Sequence, residues 1–501
     1  MSREFSRRAF LTTALAGFAV AAEAGAPAVS LRPQLRPAGL RNAAARPPSA
    51  PDPQDLIDAA RLGGRVGYAV IDEKTGALLE TRNATVGFPP ASVTKMVTTL
   101  YALDALGPDY RFRTRLIATG PVRDGAIDGD LVLAGGGDPV LDTDALADMA
   151  ADLKKAGVHG VTGDFRVYSG ALPYVRVIDE GQPDHVGYNP SLSGINLNFN
   201  RVHFQWVRED NGYTVDMDAR SAKYRPEVRV ARMSIANRAA PVYTYRNAGD
   251  HDEWTVARSA LGKSGSRWLP VRHPASYAGE VFATFARAHG IRLDPPKVQS
   301  TPPEGKALVT HESIALHDIL RGMLKYSNNL TAELVGMTAT VARRGKVGSL
   351  AASGREMSAW AQSELGMRGA KLVDHSGLGA GSRLSAEALA RAMARVDRAR
   401  GLAPLLKPFK MRDANGRIDR NHPIEVLAKT GTLYFVSTLS GYATGPGGRR
   451  LAFAILTGNE AQREALNGEV SDRPPGAAAW NRRSKRLQQQ LIERWDAVYG
   501  G

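Results

Sequence analysis

Ser92 and Lys95 lie three residues apart in Ser92-Val93-Thr94-Lys95, a spacing that puts both on one face of a helix start. Serine is a weak nucleophile at its free pKa and needs a base to take its proton. A lysine kept neutral by its surroundings can be that base. Taken alone, the pair is commonplace, and an exposed helix start capped by serine would explain it. Two downstream stretches change the weighing. Ser327-Asn328-Asn329 follows a helical run ending at Tyr326, and Lys429-Thr430-Gly431-Thr432 comes later. Ser327 alone reads as a helix N-cap. Lys429 and the two threonine hydroxyls offer a cation and donors to a terminal carboxylate. Gly431 lets a ligand backbone approach closely. A second lysine near Lys95 would also depress the pKa of the base. The chemistry implied is acyl transfer through a serine ester.

Rival chemistries are weaker. Asp374-His375-Ser376 invites a Ser-His-Asp reading, but the lysines already supply a base. The ten histidines lack spacing such as H-E-x-x-H, so neither a metal nor any other cofactor is expected. Gly135-Gly136-Gly137-Asp138-Pro139 lacks the G-x-x-x-x-G-K-[ST] pattern and reads as a turn ending a strand, not a nucleotide loop. The absence of cysteine excludes disulfides, thiolate metal sites and a lipid-modified cysteine. A net charge of +15 would suit nucleic acid, an anionic wall polymer or a membrane surface. Its Lys and Arg are scattered and no nucleic-acid motif accompanies them, so a solvated basic surface is the reading and no nucleic-acid partner is expected.

The elements that must position these residues are split along the 501-residue chain. Arg65 to Asp72 and Ala77 to Arg82 read as a strand pair around a Thr75-Gly76 turn. Val93, Met96, Val97, Leu100 and Tyr101 recur at helical spacing beside Ser92 and Lys95. Short strand-like runs then alternate with turns: Thr114 to Ala118, Gly129 to Ala134, Phe165 to Tyr168, Asn196 to Trp206, Glu227 to Ala231. Helices return at Ile314 to Tyr326, Leu330 to Arg343 and Leu384 to Asp397, the last with Ser385 as N-cap. Val436 to Ala443 and Leu451 to Thr457 read as strands, and Trp480 to Tyr499 as a basic amphipathic helix. At the N-terminus, Ser6-Arg7-Arg8-Ala9-Phe10-Leu11 precedes an apolar run to Ala22 and small residues, an export signal over 1–26 of twin-arginine type. Residues 27–52 read as a flexible leader. No other run is long enough to span a bilayer, so no transmembrane anchor is expected in the mature chain.

The three motifs, in this order and context, resemble those of the penicillin-binding serine D-Ala-D-Ala peptidases. The long spacings fit the low-molecular-mass class C carboxypeptidases and endopeptidases, peptidase family S13. The glycine triplet, Asn196-Leu197-Asn198-Phe199-Asn200, Asp374-His375-Ser376-Gly377-Leu378 and Ser440-Gly441-Tyr442 also look like that family. The resemblance implies an α/β serine-peptidase domain of the β-lactamase/transpeptidase type, an antiparallel sheet with helices on both sides. Residues 53–107 form its first segment and 296–501 its second. A mostly-β insertion over 108–295, expected in two lobes, divides them. It implies that Ser327 relays a proton toward the leaving amine and Asn329 holds the substrate amide. The backbone N–H groups of Ser92 and Thr432 would form the oxyanion hole. Asn328 departs from a frequent aspartate at a variable position.

The implied substrates are peptidoglycan stem peptides and muropeptides, cleaved in the periplasm at the terminal D-Ala-D-Ala bond or at cross-links, with β-lactams as covalent inhibitors. Peripheral association with wall or membrane would fit the basic charge. Two alternatives are a β-lactamase, against which the insertion argues, and a non-catalytic wall-binding protein with a relic site, against which the complete motif set argues. In relatives that favour a diamino acid at the third stem position, an acidic side chain from the insertion meets its amino group. The aligned stretch Phe165 to Gly170 carries no acid and Asp164 is one residue off, so weak discrimination is expected. All proposed catalytic groups lie outside the insertion. It is therefore expected to govern access only, with its two ends close together.

Overall fold

The computed structural model describes residues 50–466 and 474–501; the expected signal, and all but the last residues of the leader, lie outside them. One sheet organises the catalytic domain. Its strands run in the order Lys407–Pro408, Glu425–Leu433, Val436–Thr444, Arg450–Gly458, Arg65–Asp72, Leu78–Arg82, with every neighbouring pair antiparallel. Arg65–Asp72 shows why the sequence folds this way. Successive side chains of a strand point to opposite faces. Ala69 and Ile71 enter one apolar cluster, with the helices Thr94–Leu106, Leu316–Tyr326, Asn329–Arg344, Leu350–Glu364 and Ala386–Arg400. Val66, Tyr68 and Val70 enter a second, beneath the C-terminal helix Ala477–Tyr499. Both faces are covered, so the strand is uncharged and buried from Val66 to Ile71 instead of alternating.

The inserted region builds a five-stranded sheet in the order Lys297–Gln299, Phe165–Tyr168, Leu131–Ala134, Arg113–Ala118, Lys306–Glu312. The helices Thr143–Lys155 and Pro274–Ala288 pack against it. Three three-stranded sheets, one around Arg201–Glu209, one around Asp252–Ala257 and a small one around Ala126–Ile127, complete it. A single apolar cluster runs through all of these elements, so the two expected lobes share one core. The expected boundary at 295 falls short, because the insertion's sheet takes two further strands from 297–312. Its ends are adjacent. Arg113 pairs with Glu312 across the sheet, and Phe112 and Ser313 exchange two hydrogen bonds at 2.9 and 3.0 Å.

Candidate active site

Ser92 lies in a single 3₁₀ turn, Ala91–Val93, that runs into the helix Thr94–Leu106. Ala91 adopts φ 47°, left-handed backbone that a non-glycine residue holds only at a cost of about 1–3 kcal/mol. The surroundings over-determine it. Thr438 Oγ1 donates to Pro90 O at 2.9 Å. A Cβ at Gly377 would come within 1.9 Å of Ala91 O. A Cβ at Gly431 would meet Thr438 Oγ1 at 2.2 Å and Ser92 N at 2.8 Å. The glycine of the third motif is thus needed by the protein's own nucleophile turn, a stronger constraint than the close ligand approach expected from sequence.

Lys95 is fully buried, and its ammonium donates to Ser92 Oγ at 3.1 Å, Asn329 Oδ1 at 2.7 Å and Ser376 O at 2.8 Å. Burial lowers its pKa to about 8, against the pull of Glu333 and Asp374. The expected repulsion between the two lysines acts on Lys429 as well. Lys429, 1% exposed, is held well below its ordinary pKa by burial first, then by Lys95 and Lys407. Its ammonium donates to Ser327 Oγ at 2.9 Å and to Thr430 O at 2.6 Å. It is therefore a partner of Ser327 rather than a free cation waiting for a carboxylate.

Ser327 does not cap the following helix. It ends Leu316–Tyr326 in left-handed backbone, φ 58°. Asn328 is the N-cap of Asn329–Arg344, its side chain accepting from Thr331 N at 3.0 Å. An aspartate there would cap equally well, which accounts for the interchange at this position. Thr430 is half-buried and Thr432 exposed on the strand Glu425–Leu433. Strand alternation puts both hydroxyls on the face opposite Lys429 and Gly431. Beyond Ala428 this strand has no partner among the described residues on the side away from Val436–Thr444, an edge an extended peptide could pair with.

Three contributions escaped the sequence reading. The Asp374–Leu378 turn is buried directly behind Lys95. Its Asp374 carboxylate accepts from Gly377 N at 2.8 Å and Gly379 N at 2.6 Å. His375 bonds Ser353 Oγ at 2.7 Å, and burial pushes its pKa down to about 3, so a neutral structural imidazole replaces the Ser-His-Asp reading. Glu333, one turn beyond Asn329, is buried and accepts from the backbone of this same turn. The only signal for it was a lone acid inside an apolar helical run.

The third contribution comes from the insertion. Asn329 Nδ2 donates to Tyr188 O at 2.9 Å, so the insertion reaches the site and does more than govern access. Leu172 and Leu192 anchor the surrounding loop on Leu330, Leu334 and Met337. Arg272, 2% exposed, staples it by donating to Arg176 O, Asn189 O and Asp184 O at 3.1, 2.8 and 2.8 Å. Asp164, the acid weighed from sequence, is instead engaged with Lys297 and Arg166 in the insertion's sheet. Of the loop's acids, Asp179 acts electrostatically on Asp374 of the buried turn.

Ser92 beside buried Lys95, and a second buried lysine on Ser327, are the groups that acyl transfer through a serine would use. Residues 54–471 match the sequence profile of the D-Ala-D-Ala carboxypeptidase 3 (S13) family. The chain belongs to that family. A D-alanyl-D-alanine carboxypeptidase of Actinomadura sp. (strain R39) is 29% identical over 437 residues, 80% of this chain and 79% of that protein. The D-alanyl-D-alanine carboxypeptidase DacB of Haemophilus influenzae is 22% identical, over 80% of this chain and 86% of its own. The crystal structure of penicillin binding protein 4 (dacB) from Haemophilus influenzae shares the fold, with TM-score 0.73 and 19% identity over 88% of this chain and 99% of that one. The S13 domain is thus the penicillin-binding serine-peptidase fold. Among its described residues, no helix is long and apolar enough to cross a membrane.

Proposed function

We propose that this S13 protein is a serine D-alanyl-D-alanine carboxypeptidase, and by the same chemistry a D,D-endopeptidase, acting on peptidoglycan stem peptides. The contact of Lys95 Nζ with Ser92 Oγ at 3.1 Å carries the reading. Neutral Lys95 takes the Ser92 proton, and Oγ attacks the carbonyl of the penultimate D-alanine. The backbone N–H groups of Ser92 and Thr432 receive the oxyanion, each such donor being worth roughly 3 kcal/mol. The proton that Lys95 took passes through Ser327, steadied by Lys429, to the leaving amine, so D-alanine departs and Lys95 is neutral again. Water then cleaves the Ser92 ester with Lys95 again accepting the proton. Asn329 orients the substrate amide, and Thr430 and Thr432 meet the terminal carboxylate at the free strand edge.

β-Lactams are the expected covalent inhibitors, since they acylate the same serine. Residues 6–11 support export by the twin-arginine route and action in the periplasm, with peripheral association with wall or membrane through the basic surface. The test is incubation with purified muropeptides, products being identified by mass, alongside labelling by fluorescent penicillin. Release of D-alanine and labelling at Ser92 are expected. Full activity in Ser92→Ala, or label mapped to Ser327, would overturn the assignment.

A further inference from the structure

Glu333 is a carboxylate the mechanism above does not use, in a place where an unused carboxylate is costly. It is fully buried on the helix Asn329–Arg344. Its position four residues after Asn329 puts both on one face of that helix. Asn329 meets the Lys95 ammonium directly at 2.7 Å. Glu333 meets it through the backbone of the same turn: Oε1 accepts from Ser376 N at 2.9 Å and Oε2 from His375 N at 2.8 Å, and Ser376 O accepts from Lys95 at 2.8 Å. A single helix therefore grips the base on two sides. Gly336, one turn further, lets the helix lie against the same turn, for a Cβ there would be 2.2 Å from the His375 ring.

We propose that Glu333 is a positioning residue for the catalytic base, holding the backbone of His375 and Ser376 so that the Ser376 carbonyl fixes the Lys95 ammonium, and supplying the negative charge that keeps buried Lys95 basic enough to take the Ser92 proton. Burial alone would drive the proton off Lys95 too readily, leaving an amine with little affinity for the serine proton. A carboxylate behind it restores that affinity. Burial and Asp374 push the Glu333 carboxyl up, while the two backbone donors and Lys95 favour its carboxylate form, so the Lys95–Glu333 pair titrates as a unit. The charged groups acting on Lys95 are Glu333 from the helix and Asp374 from the turn, with Lys429 from the adjacent strand titrating against it. Those acting on Glu333 are Asp374 and Lys95; His375 beside it is neutral.

The inference rests on Lys95 being the base, and the experiment separates the two. The second-order rate of penicillin acylation is measured against pH in the full-length protein, in Lys95→Ala, in Glu333→Gln and in Glu333→Asp, with folding checked by circular dichroism. Wild-type acylation rises with pH as the base loses its proton. In Glu333→Gln the shape persists and the charge is gone. The acid limb should move to lower pH by about one unit, and the plateau should fall at least about tenfold, because a weaker base now faces a displaced turn. Glu333→Asp keeps the charge but draws it back from the turn, so its limb should move the same way by less. This second variant decides the matter if the first does not fold. A limb at the wild-type pH in a folded variant would make Glu333 a strut only and overturn the inference. Acylation surviving in Lys95→Ala would instead overturn the assignment of the base.

Discussion

Replacing Gly431 with alanine puts one methyl group where the third-motif strand meets the nucleophile turn. The backbone at 431 is outside the left-handed region, so the substitution acts through space alone. The new Cβ would lie 2.2 Å from Thr438 Oγ1, 2.8 Å from Ser92 N and 3.0 Å from Ala91 Cβ. Thr438 cannot simply turn away, since its hydroxyl ties down Pro90 O at 2.9 Å. Ordinary contact begins near 3.4 Å, so Ser92 N must retreat by about 0.6 Å. That atom is a proposed oxyanion donor, and Ser92 Oγ moves with it. Displacements of this order cost about a hundredfold in rate, or about 2.7 kcal/mol of barrier. Stopped-flow acylation by a chromogenic cephalosporin measures it, with circular dichroism as the fold control. Gly431→Ala/Thr438→Ala relieves the shortest contact but not that with Ser92 N, and should recover only part of the loss. A folded Gly431→Ala protein acylating within about threefold of wild type would refute the reasoning, because displacement of the donor is the whole argument.

Two further outcomes follow from the site. Lys429→Ala removes the partner of Ser327, so turnover should fall alike on peptides with a free and an amidated C-terminus; a loss confined to free carboxylates, measured as kcat/KM, would restore the anchoring role read from sequence. Arg272→Met removes the donor shared by Asn189 O, Asp184 O and Arg176 O, of which only Arg176 O keeps another, Ser191 Oγ, and should lower stability by about 3 kcal/mol and muropeptide kcat/KM at least about tenfold. Unchanged muropeptide turnover in a folded variant would show that the loop is no part of the site.

The three motifs were legible because their chemistry demands fixed residue types at short spacing. Strands such as Val436–Thr444 and the helix around Lys95 were legible because their apolar periodicity is long and regular. What failed did so for physical reasons. Ser327 and Asn328 are both good caps, and only the left-handed backbone at Ser327 decides between them. Lys297–Gln299 and Lys306–Glu312 are short and polar, so nothing in their pattern joins them to the insertion's sheet. Glu333 and Arg272 are charges that burial would normally forbid, and their partners are backbone atoms whose position a sequence does not display. Tyr188 contributes a carbonyl, which every residue has.

The neck of the insertion bears on how the chain finds this structure. The core must join residues on either side of a separation of 201 residues, spanned by the Phe112–Ser313 contact. Closing so long a flexible loop costs about 3 kcal/mol more than closing one of a few residues. Yet Arg113–Ala118 and Lys306–Glu312 pair within the insertion's own sheet and apolar cluster. Once that region has collapsed, its two exits already lie side by side, and the helices Thr94–Leu106 and Leu316–Tyr326 emerge as near neighbours. A segment that looks like an interruption in the sequence thus acts as a short tether during folding, so the nucleophile and its distant partners meet as though they were close along the chain.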